Sequence, residues 1–534
     1  MKKTALLLAL ILVVTCAFTG CGKKDEVTFS EGAEVKLNGD KIYPIECDDT
    51  LDFWFTGTNA WTNQYENFGE TPLAKEIAKK TGVKINYIHP QEGQGGEQIQ
   101  LLMASDELPD IVNHSWYTYP GGPDAAIKDG YIHGLGDIID KYAPALKKLL
   151  SENEHWDKQV KTDSGEYFVF PQFNEGGVLR VAFGPVFRAD WLKKLNLTTP
   201  TTIDEWEKVL TAFKGIDTVE APMIAYPDDL KIAFMPAFGI TPSWYKDGDT
   251  IKFGEAQPQY KDFLIKMNDW YKKGLFDKDF ATVDGEAQKK FMLNGKSGAA
   301  LAWAGSGVGG WIEAMEGEEF DLCGGQFPSM GDGGNAEYSY LMSDVGTSNV
   351  TAISTKCKNV ELAARFLDWG FTEEGYEVYN FGIEGESFNY VDKNGEKYPQ
   401  MTDLILNNPD GLDVANMFAL YTRSSHCNVP MLQSVEYIRQ YYKHPQQKEA
   451  QVEWAKTNMD AHLIPQLYVT DEQTEEDADT MVNVNTYVAE MTVKFITGEE
   501  PIENFDKYLE QLKAFGLDES IAFRQEAYNR YLNR

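Results

Sequence analysis

LDFWFTGTNAWTNQYENFGETPLAKEIAKKTGVKINYIHP (51–90) holds two periodicities, and the switch between them decides the fold class. LDFWFTG (51–57) reads as a buried strand that ends at Gly57. TPLAKEIAKKTG (71–82) reads as a helix, with Pro72 in its first turn and Gly82 at its end. VKINYIHP (83–90) alternates apolar and polar residues, as a half-buried strand does. The next stretch, GEQIQLLMASDELPDIVNHSW (96–116), repeats helix, turn and strand. This β-α-β-α-β rhythm predicts an α/β lobe with parallel strands.

Further along, GEYFVFPQF (165–173) and LRVAFGPVFR (179–188) are strand-like, with Glu175-Gly176-Gly177 between them. Thr201 or Thr202 caps a helix whose early turn carries Asp204 and Glu205, and QPQYKDFLIKMNDWYKKGLF (257–276) is an amphipathic helix ending at Gly274. NGKSGAALAWAGSGVGGWIEAM (294–315) reads as strand, glycine turn and helix. NYVDKNGEKYPQ (389–400) reads as a hairpin about Asn394-Gly395. From about residue 411 the pattern is mostly helical, and TDEQTEEDADT (470–480) reads as a solvated helix start.

The N-terminus sets the compartment. Lys2 and Lys3 precede an apolar run from Ala5 to Val14, too short to span a bilayer alone and fitted to the core of a secretory signal. Phe18-Thr19-Gly20-Cys21 resembles a bacterial lipobox, with Phe18 in place of the usual Leu, and is followed by charged residues. The resemblance implies cleavage before Cys21 and diacylation of that residue; two acyl chains suffice for stable anchoring. The expectation is a protein on the extracellular face of the cell membrane, with signal peptide 1–20 and tether 21–40. Cys47, Cys323, Cys357 and Cys427 then remain, with no C-x-x-C among them, and read as unpaired core residues.

The chain has 534 residues, 43% hydrophobic, enough for two or three domains. A formal net charge of −34 excludes a nucleic-acid partner, whose phosphates need Lys and Arg. The seven histidines form no H-E-x-x-H, and no G-x-S-x-G occurs. Gly295-Lys296-Ser297 lacks the earlier glycine of a phosphate-binding loop. Gly305-Ser306-Gly307-Val308-Gly309-Gly310 matches G-x-G-x-x-G between a strand and a helix, with Asp321 further on. An exported protein is not supplied with nicotinamide cofactors, so the turn reads instead as a place where a ligand or another backbone comes close. Asp392-Lys393-Asn394-Gly395 is half of a calcium-loop pattern and reads as a hairpin turn. No cofactor or metal is expected. With 83 acidic residues, a carboxylate pair for glycan hydrolysis stays open as an alternative.

FRADWLKKLNLTTPTTIDEWEKVLTAFK (187–214) resembles the signature stretch of family 1 extracellular solute-binding proteins of ABC transporters. Residues 245–280, 348–385 and 493–531 are similar to later segments of that family, the last to its long lipoprotein subgroup. The resemblance implies a type II periplasmic-binding-protein-like fold of two α/β lobes joined by crossing strands. It implies one lobe of 41–178 with 346–390 and a second of 179–345 with 391–534. It also implies a monomer that closes on an oligosaccharide and presents it to a membrane permease. A peptide or other polar solute on the same fold is the alternative ligand.

Independently, a sugar site wants aromatic platforms and hydrogen-bonding groups, and open α/β sheets bind ligands beyond their strand C-termini. The corresponding loops are aromatic: Trp54, Asn59 and Trp61; Trp116, Tyr117 and Tyr119; Phe173 at the crossing; Trp303 and Trp311 about the glycine turn; and Tyr338 and Tyr340. Of these, Trp54, Asn59, Trp61, Trp116, Tyr117, Phe173, Trp303, Trp311 and Tyr338 are the candidate ligand contacts. Trp191, Trp206, Trp270 and Trp369 lie within helical patterns and are expected to pack.

Overall fold

A computed structural model describes residues 31–534 except 92, 332–333, 347–348 and 424–428. The signal peptide, the lipobox with Cys21, and Cys427 lie outside the described residues. The opening stretch folds as its periodicity dictates. Strand Thr50–Trp54 runs parallel to Lys84–Ile88, and helix Pro72–Thr81 lies between them in sequence. Thr71 caps that helix by accepting from Ala74 N at 3.1 Å, and Gly82 ends it at φ 74°.

Two four-stranded sheets form the two lobes. The first is ordered Val350–Ile353, Ile111–His114, Thr50–Trp54, Lys84–Ile88. Its last three strands are parallel, and Val350–Ile353 joins antiparallel after the chain has returned from the second lobe. The second is ordered Leu322–Gly324, Phe183–Arg188, Ala299–Trp303, Met223–Ile224. Here Phe183–Arg188 is antiparallel to both neighbours, and Met223–Ile224 runs parallel to Ala299–Trp303. Trp191, Trp206, Trp270 and Trp369 are buried, as their helical settings predict.

The lobes are joined by segments that lie side by side. Phe173 bridges Val345 antiparallel, Asn174 N donates to Asp344 O at 2.8 Å, and Arg180 Nε donates to Met342 O at 2.8 Å. A third segment, Met431–Gln433, pairs parallel with Gln172–Asn174. The chain then passes through helix Val435–Tyr441 to helix Pro445–Trp454, which packs on the second sheet. There Trp454 Nε1 donates to Pro185 O at 3.0 Å. That approach requires Gly184 and Gly324, where a Cβ would come within 2.5 Å of Trp454 and 2.4 Å of Ala450 respectively.

This third crossing moves a lobe boundary. The expectation placed everything after 390 in the second lobe, but Met401, Ile405, Met417, Phe418 and Met431 are buried in the first lobe's core. The physical reason is helix Val414–Tyr421, whose buried face of Val414 and Met417–Tyr421 finds its apolar partners there. The second-lobe cores take up residues 442–454 and 481–517. The tether boundary moves too, because Glu31 N donates to Lys358 O at 2.8 Å and Ala33 N to Asp49 Oδ2 at 2.7 Å, docking the chain onto the first lobe from residue 31. The 389–400 hairpin forms as read: Asn394 and Gly395 have φ of 61° and 86°, and Asp392 Oδ1 accepts from Gly395 N at 3.1 Å. Cys47, Cys323 and Cys357 are free thiols.

Candidate functional site

Strand Ala299–Trp303 delivers the chain to a π-helical turn, Ala304–Gly309, and then to the short helix Gly310–Ala314. Two of its glycines serve packing. A Cβ on Gly307 would lie 2.5 Å from Ala302 Cβ, and one on Gly309 would lie 2.3 Å from Gln447 Nε2. Gln447 holds the turn in place by donating to Ala304 O at 2.8 Å. Gly305 and Gly310 leave open space, since no neighbouring atom lies closer than 3.9 Å to a Cβ built there.

That space is a cavity of about 340 Å³ between the lobes, within the range of small-molecule sites. Gly305, Ser306, Gly310 and Glu313 face it from the second lobe, and Asp413, Val414 and Ala415 from the first. Tyr441 and Lys443, which follow the third crossing segment, and Gln447 of helix Pro445–Trp454 also line it. Asp413 caps helix Val414–Tyr421, its Oδ1 accepting from Asn416 N at 2.7 Å. Lys443 Nζ lies 3.8 Å and His444 Nε2 3.5 Å from Glu313 Oε1. Burial, with the Asp413 and Glu313 carboxylates nearby, pushes the Tyr441 phenol up, so it remains a neutral donor. Trp303 stands at the mouth of the turn with 48% of its surface exposed. Its indole packs on Phe183 at 5.2 Å between centroids, and Phe183 in turn on Tyr340 at 5.7 Å. A groove of about 970 Å³ also exists, but it lies on the outside of the first lobe, between Tyr43, Glu76 and Glu377.

The sequence-derived aromatic set is not assembled around the cavity. Trp54 is buried in the first core. Trp61 is buried against Phe55, Phe68 and His89. Trp116 is buried, with Nε1 donating to Val112 O at 3.2 Å. Tyr117 donates to Gln159 O at 3.2 Å and stacks on Tyr468. Phe173 is buried at the crossing, stacked on Trp156 at 4.4 Å. Trp311 is buried in the core beneath the glycine turn. Tyr338 is half-buried between Tyr245 and His462, and Tyr119 donates to Asp129. Asn59 opens helix Asn59–Thr62, and its side chain lies outside the described residues. The common reason is area: a large ring gains most when wholly removed from water, and the loops carrying Trp54, Trp61, Trp116 and Tyr117 fold back onto the first-lobe core, while Trp311 is taken up by a second-lobe core. Among the described aromatic residues of the set, Trp303 alone is largely exposed, and it immediately precedes the turn that lines the cavity. Asp413, Tyr441, Lys443 and Gln447 escaped the sequence reading, although the tandem Tyr441-Tyr442 stopped by Lys443-His444-Pro445 marks a helix end where a ring and a charge are offered together.

Chemically, the cavity offers hydroxyl, phenol, amide and carboxylate groups to a polyhydroxylated solute. Among the described residues no group of three or more His, Cys, Asp or Glu is placed to hold a metal ion. No described helix is long and apolar enough to cross a membrane.

The model of the bacterial extracellular solute-binding protein family matches residues 67–377. The chain belongs to this family. It is 24% identical to the fructooligosaccharide ABC transporter substrate-binding protein FusA of Streptococcus pneumoniae, over 99% of this chain and 98% of the relative. It is 27% identical to the polygalacturonan/rhamnogalacturonan-binding protein YtcQ of Bacillus subtilis, over 42% of this chain and 45% of that protein. Among solved structures it superimposes on alginate-binding protein AlgQ2 without calcium ion with a TM-score of 0.68, at 25% identity and over 90% and 98% of the two chains. The fold of this solute-binding protein is therefore the two-lobed periplasmic-binding-protein-like fold that the sequence resemblance implied.

Proposed function

We propose that this solute-binding protein captures an oligosaccharide between its lobes and delivers it to the permease of an ABC importer, while the lipid on Cys21 holds it at the outer face of the membrane. The observation that carries the reading is the interlobe cavity itself, where the open Gly305 and Gly310 backbone, Ser306 and the Tyr441 phenol face one another across the lobes. Trp303 supplies the flat apolar face on which a sugar ring stacks. The names of the full-length relative and of the alginate-binding structure support a saccharide ligand. The same relatives support binding without turnover, and one chain carries both walls of the site, so a monomer suffices.

Closure is a rigid-body motion about the crossing segments. It brings the glycine turn and Asp413 onto opposite sides of the ligand. A thermal-shift screen against an oligosaccharide panel tests the reading, since a ligand at 100 times its dissociation constant adds about 2.7 kcal/mol. A hit should then compact the protein in small-angle scattering. Glycan turnover in the same samples would refute a purely binding role.

A further inference from the structure

We propose that the cavity selects uncharged saccharides and rejects uronate-containing ones, because two carboxylates from opposite lobes, Glu313 and Asp413, face the same space and the lysine beside them, Lys443, lies on the Glu313 side of it. The inference rests on the saccharide reading above and names the substrate class within it.

Among the described residues, the charges lining the cavity are Glu313, Asp413 and Lys443. Lys443 lies 3.8 Å from Glu313, and His444 is 3.5 Å from the same carboxylate oxygen. Both Lys443 and His444 thus sit on the Glu313 side of the cavity, which leaves the Asp413 carboxylate without a cation in that set. Among the described residues no arginine lines the cavity. Recognition of a carboxylate calls for the planar guanidinium fork, which grips both oxygens at once. A carboxylate, by contrast, only accepts hydrogen bonds, and two of them suit the vicinal hydroxyls of a neutral sugar. A uronate placed between Glu313 and Asp413 meets like charge from both lobes, screened by Lys443 on the Glu313 side and unscreened at Asp413, the arrangement by which interfaces exclude wrong partners. Lobe closure shortens those separations and removes water, so the repulsion grows as the site completes itself. The formal net charge of −34 adds a long-range field that disfavours approach of a polyanion.

The test is calorimetric titration of the full chain with neutral trisaccharides (kestose, maltotriose, galactotriose) and with trigalacturonate and trimannuronate at low salt. A neutral trisaccharide should bind at least about a hundredfold more tightly than either uronate. The double variant Glu313→Gln, Asp413→Asn should narrow that ratio at least about tenfold by admitting the uronates. Asn caps a helix as well as Asp, so the variant keeps its fold, and an unchanged melting temperature verifies this. Uronates that bind within tenfold of the neutral sugars overturn the inference and leave the saccharide reading standing. So does a double variant that rejects uronates as strongly as the wild type. If no saccharide of either kind binds, the saccharide reading fails and the inference falls with it.

Discussion

Trp156 Nε1 donates to Asp344 Oδ2 at 2.7 Å, tying a helix of the first lobe to the segment on which the chain returns from the second. The same indole stacks on Phe173 of the outgoing segment at 4.4 Å and 14°. One side chain thus touches two of the three crossing segments. Trp156→Phe should keep the stack and lose the bond. A hydrogen bond to a charged group contributes about 1.5–3 kcal/mol, so denaturant unfolding should show a loss of that order. An unchanged midpoint would mean that water replaces the indole at no cost.

His155, next in sequence, lies 3.1 Å from Asp344 Oδ1, and that bond raises its imidazole above the ordinary 6.5, with Asp344 and Asp460 adding attraction and Arg180 opposing it. Burial alone would push Asp344 up, but the bonds from His155 and Trp156 bring it net below its usual range. The signs then follow from linkage. The histidine's contribution is fully present below about pH 6.5 and is lost as pH rises through its raised folded value. The aspartate's is present above its unfolded value, near 3.9, and is lost as pH falls through its lowered one. His114, His89 and His133 are lowered by burial and act in the opposite sense, losing their contribution in acid. Only the difference between His155→Gln and wild type isolates the hinge. That difference should be largest near pH 6 and shrink toward pH 8.5; a flat difference would show that the proton on His155 is not held by Asp344.

Burial also decides the fate of the first-lobe aromatics. Trp116 has no exposed surface. Trp116→Ala should cost about 3–5 kcal/mol of stability and leave ligand affinity unaltered in the fraction still folded. A mutant that melts like wild type but binds weakly would return Trp116 to the site.

What could be read in advance was local. Thr71, Pro72 and Gly82 bound a helix by their own chemistry, and Asn394-Gly395 makes a turn wherever it sits. The glycine run at 305–310 likewise announced a close approach. What could not be read was long-range. Nothing around Trp61 or Trp116 tells whether a strand-end loop points into a cleft or folds back onto its sheet. The third crossing rests on the three-residue strand Met431–Gln433, too short to carry a period. Its absence from the reading hid Tyr441 and Lys443 and misplaced the lobe boundary.

Cys21→Ser should move the protein from the membrane to the soluble fraction, or leave it as an uncleaved precursor, with its melting temperature unchanged. The chain is docked on the first lobe from Glu31. Ten residues span at most about 35 Å, so an acylated Cys21 holds this lobe near the bilayer without entering its core. Equal partitioning of mutant and wild type, with equal N-terminal masses, would refute lipidation.

Trp303 is the test of the cleft. It pairs with Phe183 across the second sheet, at the strand end that opens into the glycine turn. Half of its surface is in water, so the fold does not depend on its complete burial. One face of its ring packs on Phe183 and the rest is free to take a ligand. Trp303→Ala should therefore weaken oligosaccharide binding by roughly 1–3 kcal/mol, the scale of burying a large apolar side chain. That corresponds to about tenfold to a hundredfold in affinity. The melting temperature should change little, because truncation at a cleft wall leaves no sealed cavity. Trp303→Phe should recover most of the binding, since a flat ring remains and only the indole N–H is lost. Titration and thermal melting on the same two variants separate the readings. A large fall in melting temperature with unaltered affinity would make Trp303 a packing partner of Phe183 and nothing more. A large loss of affinity that Phe does not recover would mean that the indole N–H, rather than the ring face, contacts the sugar.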